Sequence, residues 1–383
     1  MRYRVQGEGT SSMKFTRREL GGLAAMGLAS RLAPSALAQD SDRKIGFCAV
    51  GLGRISEIYT RATKLSKQAR IVAVVSGHRE KAEKFAADYD VPAKNIYSYD
   101  NFDSIADNKE IDAVYIGLPN GMHAEYAIRA ARAGKHALCE KPMANTPGDC
   151  QAMIDAFKKA GKKLMIAYRI RYEPFNLKAA ETIASGKLGK IQTIDAWSGF
   201  NMNPRDVVVK GVATKEWRLD GKLAGGGPMM DMGIYALNGV RLLAGEEPTD
   251  VKGTWSVIDQ DGRFKDVEEN LTWTMKFPSG VLATCTTSYG ANIGTMIHVV
   301  GTRGTIHIEP ASGYSGIKVV TKIQGQPDLN EASTEQHPAQ FVREADHFSE
   351  CILENKDPKT PGEEGLRDMK LITEIYKSCG RKA

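Results

Sequence analysis

The chain has 383 residues, 42% of them hydrophobic and 26% charged, with a net charge of +6 at neutral pH. That composition is globular and leaves room for more than one domain at about 100–200 residues each, and it excludes a disordered, fibrous or disulfide-scaffold protein. The first 38 residues hold six of the basic and two of the acidic side chains, so the rest carries only +2 and no nucleic-acid footprint remains.

The chain opens on an export pattern. Arg17-Arg18 is followed by a weakly apolar stretch from Gly21 to Ala33 and then by Pro34-Ser35-Ala36-Leu37-Ala38. These elements predict a twin-arginine signal peptide over residues 1–38, cleaved after Ala38. They also predict a periplasmic destination, reached through export machinery that carries folded proteins. The apolar stretch is too short to cross about 30 Å of hydrocarbon, and no later one is long enough, so no membrane span is expected. Six cysteines (Cys48, Cys139, Cys150, Cys285, Cys351, Cys379) lack metal-site spacing and read mostly as core thiols, so no metal is expected.

From Lys44 the chain alternates strand and helix. Apolar runs at 44–50, 71–75, 111–116, 136–139 and 163–167 are separated by helical patterns at 54–65, 80–89, 123–133 and 151–160. Buried strands joined by such helices predict a doubly wound parallel sheet, a Rossmann domain over residues 44–168. After one helix at 175–185, long alternating strands at 191–198, 251–258, 270–277, 281–289, 296–301 and 304–308 predict an open, mainly antiparallel sheet with one wet face. This second, α+β domain is drawn over residues 169–345, with helices in 346–383 packing back.

The first strand ends in Gly51-Leu52-Gly53-Arg54-Ile55-Ser56, a dinucleotide-binding turn whose third glycine is replaced. The second strand ends in Ser76-Gly77-His78-Arg79, with Lys81 beyond. An NAD site places a carboxylate there for the ribose 2′-hydroxyl; here a hydroxyl and two cations suit a 2′-phosphate, which predicts NADP.

Later segments add Leu118-Pro119-Asn120-Gly121-Met122-His123, Glu140-Lys141-Pro142, Tyr168-Arg169-x-Arg171-Tyr172, Trp217-Arg218-Leu219 and Gly225-Gly226-Gly227-Pro228-Met229-Met230-Asp231-Met232-Gly233-Ile234-Tyr235. Together these resemble the Gfo/Idh/MocA oxidoreductase family over residues 44–380. Within it they resemble the branch of periplasmic sugar enzymes that includes glucose–fructose oxidoreductase. The resemblance implies an NADP-dependent enzyme of the aldose–aldose or glucose–fructose oxidoreductase type. It implies a homodimer or homotetramer built through the C-terminal sheet. It also places Tyr99, Leu118, Asn120, His123, Glu140, Arg169, Trp217, Arg218 and Tyr314 near the cofactor.

Oxidising a cyclic aldose at C1 moves a hydride and removes the O1 proton. Tyr235 is the expected acid/base, Lys141 the ammonium that favours phenolate and orients O1, and Asp231 the anchor for a sugar hydroxyl. Asp231 precedes Tyr235 by one helical turn, so a helix presents both on one face. Arg169 and Tyr172 complete the expected sugar contacts. An exported enzyme meets no soluble nicotinamide pool, so the cofactor must stay bound and be recycled by a second sugar in a ping-pong exchange that turns one aldose into its lactone. A plain NAD(P)-dependent sugar or inositol dehydrogenase and a non-catalytic NADP-dependent sensor are the alternatives.

Overall fold

The computed structural model describes residues 43–202, 208–209, 212–213 and 216–381; the expected signal peptide over residues 1–38 lies outside the described residues. Six strands, β1 (Ile45–Val50), β2 (Ala69–Val75), β3 (Ile96–Tyr97), β4 (Ala113–Ile116), β5 (His136–Glu140) and β6 (Leu164–Ala167), form a parallel sheet in the order β3-β2-β1-β4-β5-β6. All of β1 and β4 is buried. The reason is cover on both faces. Phe47, Ala49 and Tyr115 pack with α1 (Arg54–Leu65) and α2 (Arg79–Ala87), whereas Cys48, Val50, Val114 and Ile116 pack with α3 (His123–Arg132) and α4 (Pro147–Ala160). Strands buried on two sides read as continuous apolar runs, which is why the sequence marks them.

A second sheet follows α5 (Pro174–Ala184). It contains β7 (Ile191–Gly199), β10 (Asp250–Ser256), β11 (Asn270–Lys276), β12 (Leu282–Ser288), β13 (Gly294–Gly301), β14 (Gly304–Glu309), β15 (Lys318–Ile323) and β16 (Leu329–Ala332), in the order β10-β11-β12-β7-β13-β14-β15-β16. The short strands β8 (Val208–Val209) and β9 (Val212–Ala213) pair apart from it. Only β12 and β7 pair in parallel; every other neighbour is antiparallel. Burial alternates along β11, with Leu271, Trp273 and Met275 inward, as one wet face requires. The expected class, a Rossmann sheet followed by a mainly antiparallel sheet, is the one observed. Strands β3, β15 and β16 escape the sequence reading because they are short or weakly alternating.

Helix α6 (Ile234–Ala244) lies against β7, β12 and β13. Two C-terminal helices, α7 (Ala339–Leu353) and α8 (Gly362–Ser378), turn back to the first domain: α7 packs on α1, and α8 packs on α4, β6 and β10. Residue 346, the expected domain edge, falls inside α7 rather than in a linker, because the apolar face of α7 begins at Phe341.

The run Gly225-Gly226-Gly227 has a packing cause. A Cβ on Gly226 would lie 2.2 Å from the Tyr376 hydroxyl, and one on Gly227 2.3 Å from the Glu268 carbonyl oxygen. The Glu268 carboxylate accepts from the backbone N–H of Gly227 (3.0 Å) and Met229 (3.2 Å) and from the Tyr376 hydroxyl (2.9 Å). The glycines thus let the strand segment and α8 grip the start of the turn that leads into α6.

The other end of α6 is tied by charge. Arg241 on α6 is paired with Glu364 (2.9 Å) and Asp368 on α8 and with Glu247 (2.5 Å), and its side chain is only 2% exposed. Arg171 adds a bond to Glu364 at 2.8 Å and one to Asn238 at 2.7 Å. Burial opposes the charge on Glu364, but Arg241 and Arg171 overcome it and pull its carboxyl down to about 2.

Removing one member of such a buried group strands the others. Arg241→Met is expected to destabilise the fold by about 3–5 kcal/mol near neutral pH in urea unfolding. Because the folded value of Glu364 is depressed, its contribution is complete above about 4.3 and is lost as pH falls toward the folded value. The gap between the wild type and Arg241→Met should therefore narrow when unfolding is repeated near pH 3. A constant gap would show that the charge network does not carry the effect.

Candidate active site

The glycine turn opens the site. Gly51 has φ +81°, and a Cβ there would lie 2.6 Å from Leu118 Cδ2 and 2.9 Å from the Gly117 carbonyl, so the turn nests against the loop after β4. Gly53 caps α1 without any side-chain bond, and the space its Cβ would fill is open to 4 Å. An uncapped helix start beside open space fits a dinucleotide's diphosphate. Leu52 is buried and Ile55 half-buried beneath the turn, while Arg54 is exposed at the first position of α1.

Where β2 ends, a cavity of about 180 Å³ is lined by Ser76, Gly77, Arg79, Tyr97, Ser98 and Asn101. The Ser76 hydroxyl accepts from the His78 N–H at 3.1 Å, and Arg79 pairs with Glu83 at 2.7 Å on the exposed face of α2. A Cβ on Gly77 would sit 3.2 Å from Tyr99 Cε2, so Tyr99 walls this end. Lys81 is exposed and does not line the cavity. Ser98 and Asn101 do line it and were not anticipated; they follow β3, which is too short to leave a periodic signal.

The chemistry-bearing groups meet at the far end of the cleft. Lys141, at the end of β5, donates to the Asp231 main-chain carbonyl and lies 3.2 Å from Asp231 Oδ1, with its side chain 8% exposed. Its Nζ is 4.4 Å from the centre of the Tyr235 ring. Burial works against the ammonium, but Tyr235, Asp231 and Glu140 outweigh it and hold the amine above its ordinary value. Asp231 sits in a single π-helical turn, Met229–Gly233, that leads into α6. The sequence spacing suggested an ordinary helix; the wider turn still brings Asp231 and Tyr235 to the same lysine. Asp231 Oδ2 accepts from the Tyr289 hydroxyl at 2.9 Å and from Arg218 Nε at 3.2 Å. Burial disfavours its charge, yet Lys141, Arg218 and the Tyr289 bond keep its carboxyl below the usual value. Tyr289, at the end of β12, was missed because a lone aromatic ending an alternating strand looks like core.

Arg169 is the second cation at Tyr235. Its Nε lies 3.2 Å from the Tyr235 hydroxyl and its guanidinium 4.7 Å from that ring. Its other nitrogens donate to the carbonyls of Ser312 (2.6 Å) and Gly313 (3.4 Å) and to Gln340 Oε1 (2.8 Å). The Tyr314 ring lies 4.4 Å from the same guanidinium. The Trp217 ring lies 4.7 Å from Arg218, which links it to Asp231.

Several expected residues support the site from behind. Glu140 is buried, accepts from the Tyr115 hydroxyl at 2.7 Å, and is raised by that burial. Asn120 donates to the Ala224 carbonyl at 2.8 Å and so joins the two domains. The buried His123 ring faces the carbonyls of Pro142 at 2.8 Å and Leu118 at 2.9 Å. Burial, with Lys141 assisting, lowers its value, so the ring ties the two loops together rather than reaching into the cleft. Tyr172 is not brought to the cluster. Its hydroxyl points to Met165 Sδ at 3.6 Å and its ring packs on His347, because the chain turns there into α5 and the side chain falls between the sheet and α7.

All six cysteines are free. No metal cluster occurs among the described residues, and no helix among them is long and apolar enough to cross a membrane.

Residues 45–168 match the oxidoreductase family with NAD-binding Rossmann fold, and residues 176–307 match the GFO/IDH/MocA C-terminal domain. The structure of aldose-aldose oxidoreductase from Caulobacter crescentus is 40% identical, with a TM-score of 0.82, over 88% of this chain and 98% of that one. D-xylose 1-dehydrogenase [NADP(+)] of Haloarcula marismortui is 32% identical over 88% of this chain and 92% of its own length. Inositol 2-dehydrogenase of Rhizobium meliloti is 26% identical over 88% of this chain and 98% of its own.

Ser76→Asp places a carboxylate at the cavity. The ratio of NADP to NAD affinity should fall by about tenfold or more, through repulsion of a 2′-phosphate and acceptance from a ribose hydroxyl. Titrating the variant with both nucleotides checks this, and an unmoved ratio would place the 2′-phosphate elsewhere.

Proposed function

The chain belongs to the Gfo/Idh/MocA oxidoreductase family, and from that premise we propose that it exchanges reducing equivalents between two sugars on one bound NADP. One aldose is oxidised at C1 to its lactone, and a second sugar is reduced in the same site. The observation that carries this reading is the Tyr235 ring with two cations at 4.4 and 4.7 Å, beside a carboxylate already ordered by three donors.

When bound, the nicotinamide supplies the hydride acceptor and then the hydride donor. The protein's residues do the rest. Tyr235 takes the O1 proton of the first sugar and returns a proton to the second. Negative charge that develops on its oxygen meets Arg169 Nε at 3.2 Å. Lys141 orients the reacting oxygen, and Asp231 accepts from a neighbouring hydroxyl. Ser76 and Arg79 take the 2′-phosphate.

The twin-arginine pattern at residues 17–18 supports export of a folded, loaded enzyme to the periplasm, and the similarity to a 40% identical aldose-aldose oxidoreductase supports the two-sugar chemistry. We assign the open face of the second sheet, where Trp197 is 37% and Leu282 54% exposed, to a second copy of the chain. The 32% identity to an NADP-dependent xylose dehydrogenase supports a second reading, a dehydrogenase that releases its nucleotide each cycle.

One experiment separates the two. Extensively dialysed protein should still absorb as a holoenzyme, and an aldose alone should raise the reduced-nicotinamide absorbance by one equivalent per site. A second sugar should then bleach it without added nucleotide. Protein that dialyses to the apo form and needs NADP at every cycle is the plain dehydrogenase.

Tyr235→Phe keeps the ring between its cations and removes the proton acceptor. We expect kcat to fall by about 10²–10⁴ with the nucleotide still bound. Turnover near the wild-type rate would remove Tyr235 from its role.

A further inference from the structure

Of the two donors to Asp231 Oδ2, one is held far more firmly than the other. Tyr289 follows β12 and is fully buried. Its N–H donates to the Glu269 carbonyl at 2.8 Å, and its own carbonyl accepts from the Met202 N–H at 2.8 Å. Its ring meets Phe200 edge-on at 5.2 Å and packs with Met202, Phe264 and Val267. Backbone and ring are thus fixed from both sides, and the hydroxyl is 2.9 Å from Asp231 Oδ2.

The other donor, Arg218 Nε, lies 3.2 Å from the same oxygen. Its guanidinium is shared with Glu216 at 2.8 Å, and its side chain is 34% exposed. Lys141 takes the Asp231 main-chain carbonyl and lies 3.2 Å from Oδ1. Tyr289 and Arg218 therefore engage both lone pairs of Oδ2, while Oδ1 keeps one beyond Lys141. The Asp231 side chain is 21% exposed, so a ligand can reach it. Burial first, and then the Asp231 charge, push the Tyr289 hydroxyl well above its ordinary value. It keeps its proton and donates over the whole working range.

We propose that Tyr289 is a positioning residue for sugar oxidation: its hydroxyl fixes the Asp231 carboxylate with Oδ2 turned into the protein and Oδ1 offered to a sugar hydroxyl. The last torsion of an aspartate is soft, so without that bond either oxygen can face the cleft. The charge responds as well. Lys141, Arg218 and Tyr289 act on the carboxylate directly. Behind them, Tyr235 and Glu140 act on Lys141, Glu216 on Arg218, and Glu268 on Tyr289. Tyr289 is the neutral member of the first three, so removing its hydroxyl removes a hydrogen bond and no charge. The Asp231 carboxyl lies below its usual value, and losing a donor moves it up. As pH falls, the carboxylate of such a variant is then lost earlier than that of the wild type.

The inference rests on aldose oxidation at this site, a step common to both readings above. Tyr289→Phe keeps the ring against Phe200, and Asp231 keeps Lys141 and Arg218, so the variant folds. In enzyme loaded with NADP, the rate at which an aldose reduces the nicotinamide should fall about tenfold, the scale of one hydrogen bond to a charged group. The acid limb of that rate should move up by about one pH unit. A packing defect would lower the rate by one factor at every pH. In an Asp231→Asn background, Tyr289→Phe should change the rate by less than about twofold, because its effect runs through the carboxylate. A wild-type rate in Tyr289→Phe, an unmoved acid limb, or an undiminished loss in the Asp231→Asn background would overturn the assignment. If the wild type reduces its nicotinamide with no aldose, the proposed function fails and Tyr289 is still tested. The Asp231 carboxyl resonance of ¹³C-aspartate-labelled enzyme, identified by its absence in Asp231→Asn, should titrate about one unit higher in Tyr289→Phe. Equal titration in the two proteins would overturn the assignment by itself.

Discussion

A buried ammonium group cannot stand alone, and most of this site is arranged around that constraint. Lys141 is 8% exposed, so its charge has to be met by an acceptor inside the protein. Asp231 meets it with both its carboxylate and its main-chain carbonyl. For Asp231 to arrive there, the chain must enter α6 through a turn wide enough to point carboxylate and carbonyl at one amine, and a π-helical turn does this. That turn in turn needs an anchored start and end. Glu268 holds the N–H groups at its start, where Gly226 admits Tyr376 and Gly227 the Glu268 main chain. Arg241, paired with Glu364 and Asp368, holds the far end of α6.

The Asp231 carboxylate shows how the balance is struck. Burial alone would neutralise it. Two cations and a phenol hydroxyl keep it charged instead, and the same two cations are kept charged by it. Such an assembly contributes little net stability, since desolvation consumes much of the Coulombic gain. Its value lies in geometry. Each of the four side chains is fixed by the others, so in the proposed function a sugar entering the cleft would meet groups whose directions are already set, with little reorganisation left for the reacting state.

The parallel sheet was legible because strands buried on both faces are continuous apolar runs, and the second sheet because strands wet on one face alternate. Lys141, Asp231 and Tyr235 were legible as a group because each lies in a local motif whose spacing survives folding. Other residues were not. Tyr289 reaches Asp231 across strand register, Gln340 reaches Arg169 from a helix 171 positions away, and Ser98 lines the cavity only because β3 pairs with β2. Tyr172 misled for the opposite reason. It sits three residues after Arg169 in a motif-like cluster, but the chain turns there into α5, and the Tyr172 ring packs on His347 between the sheet and α7, away from Tyr235. Local pattern reports which residue types are near in the chain; it does not report which way a tight turn aims them.

The identity of the residue at 235 follows from the charges around it. With Lys141 and Arg169 both within 5 Å of the ring, a group that becomes a cation on taking a proton would add a further positive charge directly between two cations. An imidazolium would be just such a cation. A phenol instead is neutral with its proton and negative without it, so both of its states are compatible with two guarding cations. The second cation, Arg169, is fixed by Ser312, Gly313 and Gln340, none of which is in the first domain's nucleotide loops. The choice of tyrosine is therefore tied to the packing of α7 and the β14–β15 connection. A histidine at 235 would require that arginine to change, and not the tyrosine alone.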